Sequence, residues 1–559
     1  MNQANDSDRG FAAWLLAIFL VALGAQLWVV WLYGSPIPFW DQWDESISLF
    51  KPWVEDHLTW PDVFAPASDH RIVVTHLLDL SLIWLNGRWD PLLQMTVNAF
   101  FHATFACGLA FCLWHFLGRK NGWLVCFLLL PFFALPYAGE NAIWGMNSLW
   151  YFVSLFGLVT IAGLGFCRAG SWRWWLGLAA AILGLLSIAS GPIAPMAVGG
   201  LIFLRGIKTR RLAKENLLSL GVCLLLVGGG MALRTNAAGY RPLQAHSWAE
   251  FTSALVRNLD WPFFKLPEMA CVIALPLVLL LVYYLRPNFS APRAAELLLT
   301  LALWSAFQSV VIAFGRANYG EDVPASRYMD VFSIFVIASL FATVLLGELW
   351  RSKLFPNCNE MLLPLIFAGV IFFGLDRMSQ IVVDNLLVPT RQMNLIAEER
   401  VTTFMATGDE RDFFESPTVR PNPETALSVL KNAKLQTILP VACFPPAASP
   451  ATGRLTTVSQ WLLRHSIVIL SCGLILFVGL CGLGLARGTM DLNMKNPAGV
   501  LALLTGLAAL GFVWEKRLLQ RGSVEYGMQQ QLAADFKSAG NFKRAAIHEH
   551  KAEELKPIK

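Results

Sequence analysis

One short segment of the chain concentrates three carboxylates within five residues. Asp41, Asp44 and Glu45 follow a long apolar run and alternate with Trp40 and Trp43. In a helix, Asp41 would share a face with Asp44 or Glu45, because residues three and four apart are neighbours. Like charges placed beside hydrocarbon raise the pKa of a carboxyl group, which suits a general base. The alternative is a solvated acidic turn in which Asp41 caps a helix N-terminus.

A second polar pair precedes an amphipathic run. His70 and Arg71 stand directly before residues 72–85, where apolar positions recur with helical spacing. Such a helix is expected to lie in the membrane interface. The planar guanidinium of Arg71 matches phosphate oxygens and would hold a lipid phosphate there. Ordinary snorkelling of both side chains toward lipid headgroups is the alternative.

A third polar cluster forms a turn between two apolar runs. It contains Glu140, Asn141, Trp144 and Asn147. Polar groups at membrane depth are costly unless they are paired or functional. The sequence therefore leaves two interpretations open, a substrate-binding turn or a turn whose polar groups cap helices and bond between them.

A fourth cluster carries two arginines, Arg316 and Arg327, the second followed by Tyr328. The topology described below places both on the side of the membrane where positive charge is disfavoured, and anion binding would explain them. The competing account is a structural ion pair with a nearby carboxylate, namely Glu321, Asp322 or Asp330.

The composition requires that these clusters be positioned by membrane helices. Hydrophobic residues make up 56% of the 559 residues and charged residues 14%, against about 25% charged in soluble domains. We predict an all-α polytopic membrane bundle of about 12–13 spanning helices. Their predicted bounds are 11–33, 92–117, 122–138, 149–167, 173–189, 192–205, 216–234, 270–286, 296–314, 330–349, 361–375, 461–486 and 498–514.

The distribution of charge and cysteine excludes some classes of protein. The net charge of +5 is small for this length, and basic residues gather in short loops, so nucleic acid is not an expected partner. Most of the ten cysteines lie in apolar runs, and their spacing predicts neither a disulfide framework nor a metal site.

Lysine and arginine in short loops give the predicted orientation. The basic loops are assigned to the cytoplasm, which puts all four polar clusters on the external face. The predicted regions are a core at 1–375 with a first external loop at 34–91, a mainly helical external segment at 376–460, C-terminal membrane helices at 461–514 and a polar, helix-prone tail at 515–559. Thirteen spans place the basic start of the tail outside, against the charge rule.

With these motifs the chain resembles the GT-C superfamily of membrane glycosyltransferases, in particular its bacterial members. The resemblance covers about residues 11–350. It rests on four elements: the acidic motif Trp40-Asp41-Gln42-Trp43-Asp44, the pair His70-Arg71, the turn with Glu140, Asn141, Trp144 and Gly145, and the sequence Ser326-Arg327-Tyr328. It implies a GT-C-like fold with amphipathic interfacial helices in the first external loop.

The resemblance also implies a function. A sugar would pass from a polyprenyl-phosphate-linked donor to a glycan or lipid-linked acceptor on the periplasmic face of a bacterial inner membrane, among membrane lipids. Asp41 would be the base, with Asp44 or Glu45 as alternates. The phosphate-binding residues would be His70, Arg71, Arg316 and Arg327. The substrate would contact Trp40, Trp43, Glu140, Asn141, Trp144, Asn147 and Tyr328.

Other accounts remain open at the level of sequence. Some relatives hold a divalent metal, and Mg²⁺ or Mn²⁺ at Asp41 and Asp44 is an option, although no cofactor is required. A transporter or flippase for a lipid-linked or anionic solute would use the same external cations. A non-catalytic scaffold for envelope assembly is the third possibility.

Overall fold

The protein is helical throughout the part of the chain that is described. The computed structural model describes residues 2–67, 70–117, 122–211, 213–235, 238–263, 265–287, 289, 292–319, 324–353, 362–411, 423–486, 526–527, 529–534, 536–538 and 542–554. Within these ranges there is no strand, and Ala67 and His70 form an isolated β-bridge. The predicted all-α class is confirmed.

The helices follow one another with short connections. In chain order they are α1 (Asn2–Tyr33), α2 (Gln42–Glu45), α3 (Lys51–Val54), α4 (Trp60–Val63), α5 (Val73–Asn86), α6 (Pro91–Leu117), α7 (Gly122–Ala134), α8 (Gly139–Ile143), α9 (Ser148–Thr160), α10 (Trp172–Leu185), α11 (Ile193–Thr209), α12 (Lys214–Ala232), α13 (Trp248–Leu259), α14 (Glu268–Tyr284), α15 (Pro292–Gly315), α16 (Met329–Lys353), α17 (Leu362–Val382), α18 (Val388–Thr407), α19 (Pro423–Lys431), α20 (Ala433–Gln436), α21 (Thr456–Arg464), α22 (Ser466–Ala486) and α23 (Phe542–Glu554).

Eight of the helical stretches in the described ranges are long and apolar enough to cross a membrane, so the chain is a multi-pass membrane protein. They are Phe11–Tyr33, Pro91–Leu117, Gly145–Gly165, Lys214–Ala232, Arg293–Gly315, Ser326–Leu349, Leu363–Thr407 and Ser466–Gly484.

Four other predicted spans correspond to helices that are shorter than a bilayer is thick. Helices α7, α10, α11 and α14 lie in the bundle but have only 13 to 17 residues. At 1.5 Å per residue they are about 20–26 Å long, below the hydrocarbon thickness of about 30 Å. The predicted span 498–514 lies outside the described residues. Compared with the prediction, α7 and α10 are shorter by four and three residues, α14 has the predicted length and α11 is three residues longer.

The first and last described long helices pack tightly against each other. A side chain at Gly24 of α1 would meet the backbone of Leu470, and one at Gly473 of α22 would meet Val21. Glycines let helix backbones approach closely in membranes. The pairing of early with late residues makes α1 and α22 antiparallel, so α22 begins where α1 ends. We call this end of the bundle, at Tyr33 and the acidic segment that follows it, the acidic end.

The loop after α1 and the segment after α17 build one extramembrane domain at the acidic end. Its buried cluster combines Trp43, Phe50 and Trp89 of the loop with residues of α18 and α19, such as Val401 and Leu430. Helix α5 of the loop, which the sequence predicts to lie in the membrane interface, has 14 residues. It ends at Gly87, whose φ of 77° suits glycine. The loop and the segment that the sequence predicts to be external are therefore one structural unit.

Helices α17 and α18 are joined without a loop. A π-helical turn, Val383–Leu387, connects them, and residues 362–407 are helical throughout. The external segment predicted to begin at residue 376 thus begins inside a continuous helix. Its continuation is anchored to α1, since Arg391 Nη1 donates to the carbonyl of Gly34 at 3.2 Å.

The described part of the tail packs against α18. Leu532, Phe536 and Ala545 contact Leu395 and Ile396 of that helix. His548 is buried, and its Nε2 lies 3.0 Å from Glu399 Oε1. The tail is therefore at the acidic end, on the same side as the extramembrane domain.

Helix α22 starts at the acidic end and runs away from it, whereas residues 526–554 lie at the acidic end.

Candidate functional site

A cavity of about 150 Å³ opens at the acidic end of the bundle. It is lined by residues from five separate parts of the chain. The predicted site residues among them are Trp40, Asp41, His70, Trp144, Asn147, Arg316, Arg327 and Tyr328. Side chains from all four polar clusters of the sequence thus meet at one place.

Asp41 faces this cavity because of the backbone on either side of it. Trp40 has a φ of 50°, which is uncommon for a residue with a side chain and marks local strain. Asp41 stands directly before α2, yet its side chain makes no capping hydrogen bond to that helix. The capping role considered for Asp41 is therefore absent, and its carboxyl group is available to a ligand.

The environment of Asp41 raises the pKa of its carboxyl group. Burial is the largest cause, and the nearby charge of Asp44 adds to it. The guanidinium of Arg327 acts in the opposite direction by favouring the ionised form. Asp41 and Arg327 are therefore close enough to interact across the cavity, a base and a cation facing one space.

Aromatic rings form the wall beside Asp41. The rings of Trp40 and Trp144 lie 6.0 Å apart at 62°, and Phe39 packs edge-on to Trp144 at 5.8 Å. On the neighbouring wall Trp150 meets Tyr328 at 5.2 Å. Such rings offer flat apolar faces, which suit the C–H face of a sugar or an isoprenoid chain.

Arg327 is held rigidly by a carboxylate and two rings. Its Nη1 lies 2.8 Å from Glu140 Oε1, and its backbone N–H donates to Glu140 Oε2 at 2.9 Å. Its guanidinium also lies 5.2 Å from the ring of Tyr319 and 5.0 Å from that of Tyr328. Of five N–H donors in the guanidinium, Glu140 engages one and Tyr319 another, so a fixed cation remains able to bind an anion.

The remaining members of the lining are also anchored. Arg316 lies over the ring of Tyr240 at 5.1 Å. His70 is fixed by the bridge to Ala67, in which its backbone donates at 3.0 Å and accepts at 2.9 Å. Asn147 donates its side-chain amide to the carbonyl of Glu140 at 3.1 Å. The cavity is thus organised in advance of any ligand.

Two predicted site residues, Glu140 and Asn141, do not line the cavity but form hydrogen bonds with Arg327, which does. Glu140 is the partner of Arg327. Of the three carboxylates considered from the sequence, Glu321 and Asp322 lie outside the described residues. Asn141 is buried and donates to Arg327 O at 3.1 Å and to Asp330 Oδ2 at 2.8 Å. Both residues therefore orient Arg327 and lie outside the cavity lining.

Four predicted site residues lie elsewhere. Trp43 is buried in the extramembrane core, and Asp44 is exposed. Glu45 is buried away from the cavity beside Asp79. Arg71 donates to the carbonyls of Phe64 at 2.6 Å and Leu233 at 3.2 Å, and it lines a separate small pocket. Helix α5 begins only at Val73, so Arg71 points toward α12.

The acidic motif does not provide a convergent set of metal ligands. Among the described residues, no group of three or more His, Cys, Asp or Glu is arranged to hold a metal ion. Glu45 faces Asp79, which leaves Asp41 and the exposed Asp44 without a third carboxylate. Mg²⁺ is often held by one or two carboxylates together with waters and a substrate phosphate. A site for Mg²⁺ or Mn²⁺ at Asp41 and Asp44 would therefore have to be completed by water and by a bound phosphate.

Sequence reasoning missed three aromatic residues that line the cavity, Trp150, Tyr240 and Tyr319. Tyr319 follows Arg316 by three residues, and this nearness was the one visible signal. Trp150 and Tyr240 sit in runs where aromatic residues are expected at a membrane interface. Nothing in such runs distinguishes a cavity wall from an interfacial belt.

Comparisons with protein-family models, with curated proteins and with solved structures give no match for this chain.

Proposed function

We propose that this protein is a membrane glycosyltransferase. It would move a sugar from a polyprenyl-phosphate-linked donor to a cell-envelope glycan or lipid-linked acceptor at the extracytoplasmic face of a bacterial inner membrane. One observation carries the proposal: a carboxylate of raised pKa, two arginines and a wall of aromatic rings line a single cavity at the end of a membrane bundle.

The size of the cavity supports a small reacting group rather than a whole lipid. Its volume of about 150 Å³ is below the roughly 300–1,000 Å³ of pockets that enclose drug-sized ligands. The cavity suits one sugar unit with its phosphate. The isoprenoid chain of the donor would then lie outside, along the apolar bundle and among membrane lipids.

The chemistry follows from the positions of Asp41 and Arg327. Asp41 accepts the proton of the acceptor hydroxyl, and the oxygen attacks the anomeric carbon of the donor. The bond between that carbon and the phosphate oxygen breaks, and the phosphate leaves with the electron pair. Arg327 stabilises the charge that develops on the phosphate, with Arg316 beside it. A proton and a sugar are transferred, and no redox step is involved.

The guanidinium of Arg327, which would bind the donor phosphate, is preorganised in the absence of the donor. Arg327 is oriented by Glu140 at 2.8 Å and by the rings of Tyr319 and Tyr328. A fixed charge needs no reorganisation during the reaction, which makes it more effective than a mobile one. A flippase would instead need the cation to release its anion on the other side of the membrane.

The experiment compares two neighbouring carboxylates in purified protein reconstituted into liposomes. Synthetic polyprenyl-phosphate hexoses and an extract of envelope glycans serve as substrates, and release of polyprenyl phosphate is measured. Asp41→Asn should lower the transfer rate by about 10²–10⁴-fold, the usual contribution of a general base. Asp44→Asn is the matched control because Asp44 is exposed, and it should stay close to wild type.

The pH profile gives an independent readout. Since burial raises the pKa of Asp41, the transfer rate of the wild type should fall with acidification at a pH above the ordinary 3.8 of an aspartate. Transfer at the wild-type rate by Asp41→Asn would refute the base assignment. Donor movement across the membrane without release of polyprenyl phosphate would favour a flippase, and neither activity would favour a scaffold.

A further inference from the structure

Behind the acidic segment lies a pair of buried carboxyl groups. Glu45, at the end of α2, is 3% exposed, and Asp79, in the middle of α5, is fully buried. The two side chains are within hydrogen-bonding reach of each other. Neither forms an ion pair with a lysine, arginine or histidine of the described residues. Both lie in the extramembrane domain, outside the membrane-spanning helices.

The geometry of the pair requires a proton. Both oxygens of Glu45 and Oδ2 of Asp79 are buried without a hydrogen-bond donor among the described residues. Two carboxylates in contact cannot both ionise in such a place, because their charges repel and neither is hydrated. One shared proton turns the repulsion into a hydrogen bond. Burial raises the pKa of both groups in agreement with this.

The other oxygen of Asp79 starts a chain of side-chain amides. Asp79 Oδ1 accepts from Gln94 Nε2 at 2.5 Å, and Gln94 Oε1 accepts from Gln42 Nε2 at 2.9 Å and from Trp89 Nε1 at 3.1 Å. Gln42 Oε1 accepts the backbone N–H of Phe39 at 3.0 Å. The chain ends two residues before Asp41.

Asp79 sets the donor-to-acceptor direction of this chain of hydrogen bonds. A glutamine amide has one end that donates and one that accepts. Because the ionised oxygen of Asp79 only accepts, Gln94 must present its nitrogen to Asp79 and its oxygen to Gln42. Gln42 must then present its oxygen to the N–H of Phe39. Reversal of either amide would bring like groups together and release the backbone before Trp40.

We propose that Glu45 and Asp79 share one proton and act as a positioning pair, which fixes the turn that presents Asp41 to the cavity. The effect on transfer rests on the proposed function, but the shared proton does not. Glu45 is thereby assigned a role different from that of a second base. Neither residue touches the substrate, and both act through Gln94 and Gln42.

The surroundings contain few charges that would compete for this proton. Asp41 adds a like charge that favours the protonated form of Glu45. Burial lowers the pKa of His76, one turn before Asp79, so this imidazole is neutral near pH 7. The titratable groups on and beside the elements packed around the pair are Asp41, Asp44, Asp62, His76, Asp90, His102, Cys107, Cys112, His115, Tyr151, Glu424 and Lys431.

Infrared spectroscopy tests the proton directly, on the full-length protein in nanodiscs. At pH 7 the difference spectrum between wild type and Glu45→Gln should contain the C=O band of a protonated carboxyl group, shifted on transfer to D₂O. Asp44→Gln, which changes an exposed carboxylate, should give no such band. The absence of the band from the Glu45→Gln difference spectrum would overturn the proposal, whether or not the protein transfers sugars.

Stability against pH provides the second measurement. An unfolded glutamate has a pKa of about 4.3. Above this pH the folded wild type keeps a proton that the unfolded chain has lost. Its folded-to-unfolded ratio should therefore fall by about tenfold per pH unit, until the pair loses the proton. Glu45→Gln should remove this slope, because an amide donates to Asp79 at every pH; an unchanged slope would contradict the pair.

Transfer kinetics separate positioning from mere structure. Asp79→Leu leaves Gln94 Nε2 without its acceptor, so it should lower kcat at least tenfold and leave donor KM within twofold, because Arg327 is intact. Glu45→Gln should keep most of kcat and lose the decline of the wild type at alkaline pH. Equal losses in both variants, or a loss confined to donor KM, would refute the positioning role.

Discussion

Replacement of Arg327 by lysine tests whether a fixed guanidinium fork binds the donor phosphate. Lysine keeps the positive charge but has a single ammonium group in place of a planar fork. In the wild type, Nη1 of Arg327 serves Glu140 at 2.8 Å, and other donors remain for an anion. The ammonium of Arg327→Lys would have to divide between Glu140 and the phosphate.

The expected size of the effect follows from one lost contact. A hydrogen bond to a charged group contributes about 1.5–3 kcal/mol. Since about 1.4 kcal/mol is a factor of ten in affinity, the Kd for polyprenyl phosphate should rise about 10- to 150-fold. The assay is calorimetric titration of purified protein in nanodiscs with synthetic polyprenyl monophosphate, the leaving group of the proposed reaction.

The chain contains a closely matched control. Arg205 pairs with Glu296 at 2.8 Å, lies 5.3 Å from the ring of Phe166 and has a side chain that is 20% exposed, against 13% for Arg327. It lies away from the cavity. Arg205→Lys should lower thermal stability about as much as Arg327→Lys and leave the Kd unchanged. Wild-type affinity in Arg327→Lys, or equal weakening in both variants, would refute phosphate binding by Arg327.

Two further predictions concern a cavity wall and the tail. Tyr319→Leu removes a ring 5.2 Å from the Arg327 guanidinium and should weaken polyprenyl phosphate binding by about 0.5–2 kcal/mol. The control Tyr283→Leu removes a ring 4.4 Å from Arg286 and should leave this binding unchanged. Equal titrations of the two variants would contradict the prediction. The tail and the loop that contains the exposed His57 both lie at the acidic end. A protease site inserted after residue 554 should therefore be cut from the same side of sealed vesicles as a site inserted at His57. Cleavage from opposite sides would exclude the contact between the tail and α18.

The location of all four polar clusters at one end of the bundle was predictable from the sequence. It depends only on whether the number of membrane crossings between two clusters is even or odd. Each apolar run takes the chain to the other end of the bundle, even where the helix is short, as in α7. Errors in span length therefore did not alter which side Asp41, Glu140 and Arg327 occupy. Residue type then indicated the chemistry, a carboxylate beside cations.

The direction of individual side chains was not predictable. Asp41 and Glu45 were expected to share a helix face, but Asp41 precedes α2, which is a single turn followed by a π-helical turn, Ser46–Phe50. Glu45 therefore faces α5 instead of the cavity. Arg71 likewise bonds to Leu233, 162 residues away in sequence, a contact that no local pattern encodes.

The docking of the tail on α18 was also beyond sequence reasoning. Its helix-prone pattern predicts helices but does not identify the surface they cover. The contact depends on a few side chains, such as Phe536 beside Arg400 and His548 beside Glu399. Such partners become apparent only when the path of the chain is known.

The continuous helix through residues 362–407 has a consequence for large acceptors. Its 45 residues from Leu363 to Thr407 give a contour of about 68 Å, more than twice the roughly 30 Å of a hydrocarbon core. More than half of its length therefore exceeds the hydrocarbon core, and its C-terminal part contributes Val401 and Phe404 to the core of the extramembrane domain. Under the proposed function, a bulky acceptor polymer would have to pass this domain to reach Asp41, so its thickness, as well as its chemistry, would decide whether it is accepted.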